Sequence, residues 1–244
     1  MAEIENLFAF DFDDTLAITP SIIGVQRVDA NGQSDSGFRD WILENNLDIH
    51  EIENPDSPNE IIWFTSGDFA KYEKAHRADI EFLESNSFQD NYDFTETASV
   101  DVGGSSPISP LLDILKQASE EANSRVVIIT ARGGKEPMQG LSSRGMVNPT
   151  NQQDIQDFLT GQGVDLDFGN ITTAGDLGQG PKAKVKAMET YIDMYNPKNI
   201  FFYDDNQGNI EAIAGMCEKH FPGINIKTFK VSPEGGVSLS GGCW

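Results

Sequence analysis

Residues Leu7 to Leu16 read Leu-Phe-Ala-Phe-Asp-Phe-Asp-Asp-Thr-Leu, an apolar run that breaks off in three carboxylates and a threonine. No other feature of the chain restricts its fold more. A run this short and aromatic has the composition of a strand covered on both faces, as in a parallel sheet. Carboxylates beside a buried strand are costly unless something cationic compensates them. A divalent metal held by Asp11 and Asp13 is the simplest compensation. Hard cations take carboxylate oxygens, and magnesium uses one or two carboxylates completed by waters and substrate phosphate. The plain alternative is a solvated acidic turn after a strand.

A second apolar strand, Ile200 to Tyr203, also runs straight into acid, at Asp204 and Asp205, with Asn206 and Asn209 following. In an open parallel sheet the ligand crevice lies beyond the carboxyl ends of the strands, so two such ends converge on one ion even when far apart in sequence. A third strand, Arg125 to Ile129, leaves through Thr130, Ala131, Arg132, Gly133 and Gly134, a hydroxyl and a loop whose amides can cradle a phosphate. A strand leaving through Thr and Gly is by itself commonplace. Gly180-Pro181-Lys182-Ala183-Lys184 then opens a helix through about Tyr195. A lysine at a helix start opposes the helix dipole, so an anionic ligand explains its position better than local helix stability does. A solvated cluster of Lys182, Lys184 and Lys186 is the alternative.

Together these four pieces resemble the haloacid dehalogenase superfamily of phosphotransferases. Asp11-Phe12-Asp13-Asp14-Thr15 fits the first motif, Asp-x-Asp-x-Thr; Thr130 fits the second, Lys182 the third and Asp204-Asp205 the fourth. The resemblance covers Glu5 to Leu16 and roughly Pro107 to Val231. It implies a magnesium-dependent phosphomonoester hydrolase working through an aspartyl-phosphate, with Asp11 as nucleophile and Asp13 as general acid and base. It also implies Thr130, Ala131, Arg132 and Lys182 at the substrate phosphate. The metal falls to Asp11, Asp13 (through its backbone oxygen) and Asp205, with Asp204 adjacent.

The residue chemistry agrees with those roles. Carboxylate attack on an anionic phosphorus is repulsive unless cations neutralise the phosphoryl oxygens. Asp13 lies where the chain leaves the strand and turns, so it can reach the leaving oxygen, protonate it, and later deprotonate water. Thr15 can hold that loop through its hydroxyl, and Asp14 reads as solvated or structural. Aligning Asp205-Asn206-Gln207-Gly208-Asn209 with the commoner Asp-x-x-x-Asp places Asp205 ahead of Asp204 on the metal. Asn209, where a carboxylate often sits, is expected to orient a metal-bound water. Lys184 stands in reserve behind Lys182, and Arg132 either grips substrate or makes an ordinary salt bridge.

The chain has 244 residues and a formal net charge of −22. That length suits one large α/β domain with an insertion. The charge disfavours long nucleic acid as a substrate, since neutralising many phosphates needs a basic groove. A small phosphorylated metabolite or nucleotide remains compatible with local metal and lysine. No stretch approaches the roughly 20 apolar residues of a membrane span, and Met-Ala-Glu-Ile-Glu-Asn lacks signal-peptide form, so a cytoplasmic location is expected. Cys217 and Cys243 are too few for a disulfide framework or zinc site, and His50, His76 and His220 form no motif.

Alternation of helix and strand from Pro110 to Tyr203 predicts a doubly wound parallel sheet, a Rossmann-like core. Its helices are expected at Pro110 to Ala122, Gln153 to Thr160, Lys182 to Tyr195 and Ile210 to His220, with Ile224 to Val231 as a last, edge strand. The core is expected over 1–17 and 107–231, with an α+β insertion or small cap over 18–106 and a mobile Gly/Ser-rich tail over 232–244. Within the insertion, Ser21 to Val28, Glu60 to Phe64 and Tyr92 to Thr97 read as strands, and Phe38 to Leu47 and Phe69 to Leu83 as helices. Two functional alternatives stand beside the phosphatase: a polynucleotide end-processing phosphatase, and a catalytically silent member that binds a phosphorylated ligand.

Overall fold

The structure is a computed structural model and describes residues 4–47, 61–93, 97, 100–133, 151–177 and 180–243. In chain order its elements are β1 (Asn6–Phe10), β2 (Ala17–Ile18), β3 (Ile22–Val28), α1 (Phe38–Glu44), β4 (Ile62–Thr65), α2 (Ser66–Ala78), α3 (Ile80–Ser85), β5 (Gln89–Asp93) and β6 (Ser106–Pro107). There follow α4 (Ser109–Glu120), β7 (Ser124–Thr130), α5 (Asn151–Gly161), β8 (Ile171–Thr173), α6 (Pro181–Tyr195), β9 (Asn199–Asp204), α7 (Gln207–His220), β10 (Asn225–Val231) and β11 (Val237–Cys243). The chain divides into two compact units, one holding β1, β2 and everything from β6 onward, the other β3 through β5.

The first unit is built on a six-stranded sheet in the order β11-β10-β9-β1-β7-β8. All neighbours are parallel except β11, which runs antiparallel to β10. Alternate residues of each strand feed opposite layers, as strand geometry requires. Leu7, Ala9, Val127, Ile129, Ile200 and Phe202 pack with Ala187, Met188 and Ile192 of α6 and Ile210 and Ile213 of α7. Phe8, Phe10, Val126 and Ile128 pack with Leu111, Leu112 and Leu115 of α4 and Ile155, Phe158 and Leu159 of α5. Helices on both faces of a mostly parallel sheet are the doubly wound arrangement the sequence predicts.

Register is pinned at both ends of the central strands. Asn6, Asn199 and Asn225 stand side by side at the start of β1, β9 and β10. Asn225 Nδ2 donates to Asn199 Oδ1 at 3.1 Å, and Asn199 Nδ2 donates to Asn6 Oδ1 at 2.9 Å. Four residues on, Phe10, Tyr203 and Phe229 stack with centroids 4.7 Å apart across the same three strands. A one-residue slip would break both rows and turn every core side chain to the wrong layer. In this register Phe10 lies opposite Tyr203, so the chain leaves β1 and β9 side by side and places Asp11 next to Asp204.

Three sequence expectations are corrected here. The segment from Ser232 is not a loose tail: Val237–Cys243 forms β11, pairing with β10 from Val231↔Val237 to Ile226↔Cys243. Consequently Ile224 to Val231 is an interior strand rather than the edge. The predicted single helix over Phe69 to Leu83 is two, α2 and α3, interrupted at Asp79, whose carboxylate accepts from Trp41 Nε1 at 2.8 Å.

The second unit has its own antiparallel sheet, β4-β3-β5, and its own core of Val25, Phe38, Trp41, Ile42, Phe64 and Tyr72. Arg27 is buried there, with its guanidinium 4.4 Å from the ring centroids of both Phe38 and Trp41 and 2.8 Å from Asp90. The insertion thus folds around a core of its own. The chain passes to this unit after Thr19 and returns at Ser99, and β2 and β6 of the first unit pair antiparallel over two residues.

Candidate active site

Asp11 is the first residue past β1 and is 6% exposed. Lys184 Nζ lies 2.8 Å from Asp11 Oδ1 and 2.8 Å from Asp204 Oδ2. Asp204, the last residue of β9, is fully buried and also accepts from Asn209 Nδ2 at 3.0 and 3.1 Å and from the Asn206 amide at 2.7 Å. The Asp205 amide donates to Thr15 Oγ1 at 3.1 Å, which ties the two acid-bearing loops together. One carboxylate oxygen from each of Asp11, Asp204 and Asp205 lies within 4.8 Å of the others.

Burial dominates the electrostatics of this cluster. It pushes the Asp11 carboxyl well above the ordinary range; Lys184 pulls it back, and Asp204, Asp205 and Asp13 push it further up. Burial, and then the charge of Asp204, lift Asp205 to about 7. Lys184 is lowered by burial but raised more by Asp11 and Asp204, so it stays charged. Among the described residues three carboxylates gather here, and Lys184 lies within 2.8 Å of two of them, Asp11 and Asp204. An all-oxygen donor set in which three carboxyl groups share a buried site fits a hard divalent cation such as magnesium.

Asp13 faces a different set of partners. Arg132 forks onto it, with Nε 2.8 Å from Oδ2 and a terminal guanidinium nitrogen 2.6 Å from Oδ1. Thr19 Oγ1 donates to Oδ1 at 2.7 Å, and Thr130 Oγ1 to Oδ2 at 3.3 Å. Burial pushes the Asp13 carboxyl up, but Arg132, through charge and hydrogen bonds, and Thr19 together hold it below the ordinary range. The loop carrying Arg132 is braced from below. The Gly175 amide donates to the Arg132 carbonyl, and a Cβ at Gly175 would stand 2.6 Å from the Ala131 carbonyl oxygen, so only glycine permits the approach.

The structure brings together Asp11, Asp204, Asp205, Thr15 and Asn209 in one cluster, and Asp13, Thr130 and Arg132 in an adjoining one. The lysine order is reversed from the sequence reading. Lys184 is 1% exposed within the cluster, while Lys182 is on the exposed side of α6. The reason is helical register: the buried stripe of α6 runs Ala183, Lys184, Ala187, Met188, Tyr191, Ile192. The roles of two other residues also differ. Asn209 grips the Asp204 carboxylate itself, and Asp204 lies in the cluster as squarely as Asp205. Arg132 is not a surface salt bridge: its side chain is 3% exposed and pairs with Asp13. Asp14 takes a left-handed backbone, φ 55°, where the chain turns toward β2. Sequence reasoning missed Thr19 and Gly175. Ala131 is exposed beside Arg132, and Gly134 and the side chains of Cys217 and Cys243 lie outside the described residues. Among the described residues no helix is long and apolar enough to cross a membrane.

No family model and no curated protein sequence matches the chain. Among solved structures it is similar to a haloacid dehalogenase-like hydrolase of Burkholderia xenovorans, at 14% identity and TM-score 0.36, covering 96% of this chain and 84% of that one. It is similar in the same degree to the HAD domain of an effector protein from Legionella pneumophila, at 14% identity and TM-score 0.36, covering 95% and 88%. A formyltetrahydrofolate deformylase of Pseudomonas putida follows at 9% identity and TM-score 0.24, covering 86% and 68%. Likeness at these TM-scores adds nothing to the sheet order and side-chain geometry above.

Proposed function

We propose that the chain is a phosphomonoester hydrolase in which Asp11 is the nucleophile. The observation that carries this reading is the cluster of Asp11, Lys184, Asp204 and Asp205 beyond the carboxyl ends of two adjacent parallel strands. An Asp11 carboxylate oxygen attacks phosphorus and the bond to the leaving oxygen breaks, forming an aspartyl-phosphate. The leaving oxygen takes a proton from Asp13, which must first take one up against the hold of Arg132 and Thr19 on its ionised form. Water then attacks the same phosphorus, its proton passes to Asp13, and inorganic phosphate leaves with Asp11 restored. Lys184 holds the Asp11 carboxylate in place and contributes fixed positive charge to the phosphoryl oxygens. Magnesium held by Asp11, Asp204 and Asp205 would supply further charge neutralisation on those oxygens.

The substrate class that fits best is a small phosphorylated metabolite or nucleotide. The net charge of −22 opposes a long polyanion, while a single phosphoryl group needs only the local cations. The test is phosphate release from a panel of sugar phosphates, nucleotides and a 3′-phosphorylated oligonucleotide, with magnesium and with chelator. The expected result is turnover of small monoesters that chelator abolishes. Preference for the oligonucleotide would move the assignment to polynucleotide end processing. Binding without turnover, across the whole panel, would leave a ligand-binding protein.

A further inference from the structure

Resting on that reading, we propose that Arg132 and Thr19 are positioning residues for Asp13, and that Arg132 is not a ligand of the substrate phosphate. An arginine that grips phosphate presents its planar fork to the pocket. Here the fork is already closed: Nε and a terminal nitrogen span both oxygens of Asp13 at 2.8 and 2.6 Å, in a side chain 3% exposed. That same terminal nitrogen donates to Thr19 Oγ1 at 3.1 Å, whose own hydroxyl hydrogen goes to Asp13 Oδ1 at 2.7 Å. A second ring closes through the strand end, because the Arg132 amide donates to Thr130 Oγ1 at 3.2 Å and Thr130 donates to Asp13 Oδ2 at 3.3 Å. Asp13 is thus fixed in direction by three side chains from two separate segments. A carboxyl that must reach first a leaving oxygen and then a water requires such orientation, since proton transfer is productive only within hydrogen-bond reach.

The two roles for Arg132 separate in kinetics. Arg132→Lys, Arg132→Ala and Thr19→Val are compared with wild type on p-nitrophenyl phosphate and on an alkyl phosphate, with inorganic phosphate as competitive inhibitor. Positioning of Asp13 predicts a kcat loss of about 10- to 100-fold on the alkyl ester, a smaller loss on the nitrophenyl ester, and an inhibition constant for phosphate unchanged within about twofold. Added guanidinium should restore part of the Arg132→Ala rate, and Thr19→Val should repeat the leaving-group pattern more weakly. Equal losses on both esters with weakened phosphate inhibition would make Arg132 a phosphate ligand. Unchanged kcat in folded Arg132→Lys and Thr19→Val would make the cluster structural only. Should Arg132→Ala fail to fold, those two milder variants decide. A wild-type protein inactive on every ester overturns the hydrolase reading itself, and is seen before any variant is compared.

Discussion

At the scale of single residues, Lys184 carries the most weight, because its buried ammonium pairs with both Asp11 and Asp204 within a cluster of three carboxylates. Removing one partner from a buried charge cluster leaves the others uncompensated, which typically costs about 3–5 kcal/mol. Lys184→Met is therefore expected to lower stability by that order and to abolish turnover. Lys182→Met, on the exposed side of the same helix, should stay within about 0.5 kcal/mol of wild type and keep most of the rate. Urea unfolding and phosphate release on the two variants check this, and equal behaviour would undo the assignment. Asp11→Asn tests the other partner. It should cut turnover by about 10³-fold or more, since an amide is no nucleophile. Without metal at neutral pH its melting temperature should match or exceed wild type, because burial already disfavours the Asp11 carboxylate. Retained hydrolysis in that variant would remove Asp11 from the reaction.

At the scale of elements, the amide row across β1, β9 and β10 is separable from the chemistry. It lies five residues before Asp11, about 17 Å along the strand at roughly 3.3 Å per residue. Asn199→Ala deletes one donated and one accepted hydrogen bond, each with a net value of about 1 kcal/mol. The expected loss is thus about 2 kcal/mol in urea, with kcat within about twofold of wild type. An unchanged unfolding midpoint would show that the aromatic row alone holds the register. The same elements mark what the sequence makes legible. β1, β7 and β9 are apolar runs ended by polar residues, a pattern that burial on both faces imposes. The Lys184 position was legible too, since Ala183, Ala187, Met188, Tyr191 and Ile192 trace one helical stripe that passes through 184 and misses 182. β11 was not, because its Val-Ser-Leu-Ser alternation is too short against the flanking glycines and its order comes from pairing with β10. Nor were the partners of Asp13: Arg132 stands 119 residues away, and only the adjacency of β1 and β7 brings the two together.

At the scale of the whole molecule, the acid cluster couples stability to pH and to metal. Asp205 is lifted to about 7 and Asp11 also lies well above its ordinary value, so in the folded state both hold protons more tightly than in the unfolded chain. Between about pH 4, where carboxyls of the unfolded chain titrate, and pH 7 the folded state binds more protons, and stability must fall as pH rises through that window. Asp13 acts in the opposite sense: its lowered value adds stability that is lost only as pH falls below the ordinary carboxylate range, outside this window. A divalent cation reverses the first trend, because it replaces the protons on Asp11 and Asp205 and binds better once they leave. In chelator the melting temperature is therefore expected to drop from pH 5 to pH 8, and millimolar magnesium should raise it markedly at pH 8 and little at pH 5. General repulsion in a chain of net charge −22 also weakens stability, but that effect yields to monovalent salt and is almost untouched by changing one charge. Asp205→Asn separates the two causes. It should flatten the pH slope in chelator and blunt the magnesium response at pH 8 while leaving the salt response as in wild type. If wild type in chelator is equally stable at pH 5 and pH 8, and magnesium stabilises it no more than an equal ionic strength of sodium chloride, the cluster is not a metal site and the hydrolase reading loses its support.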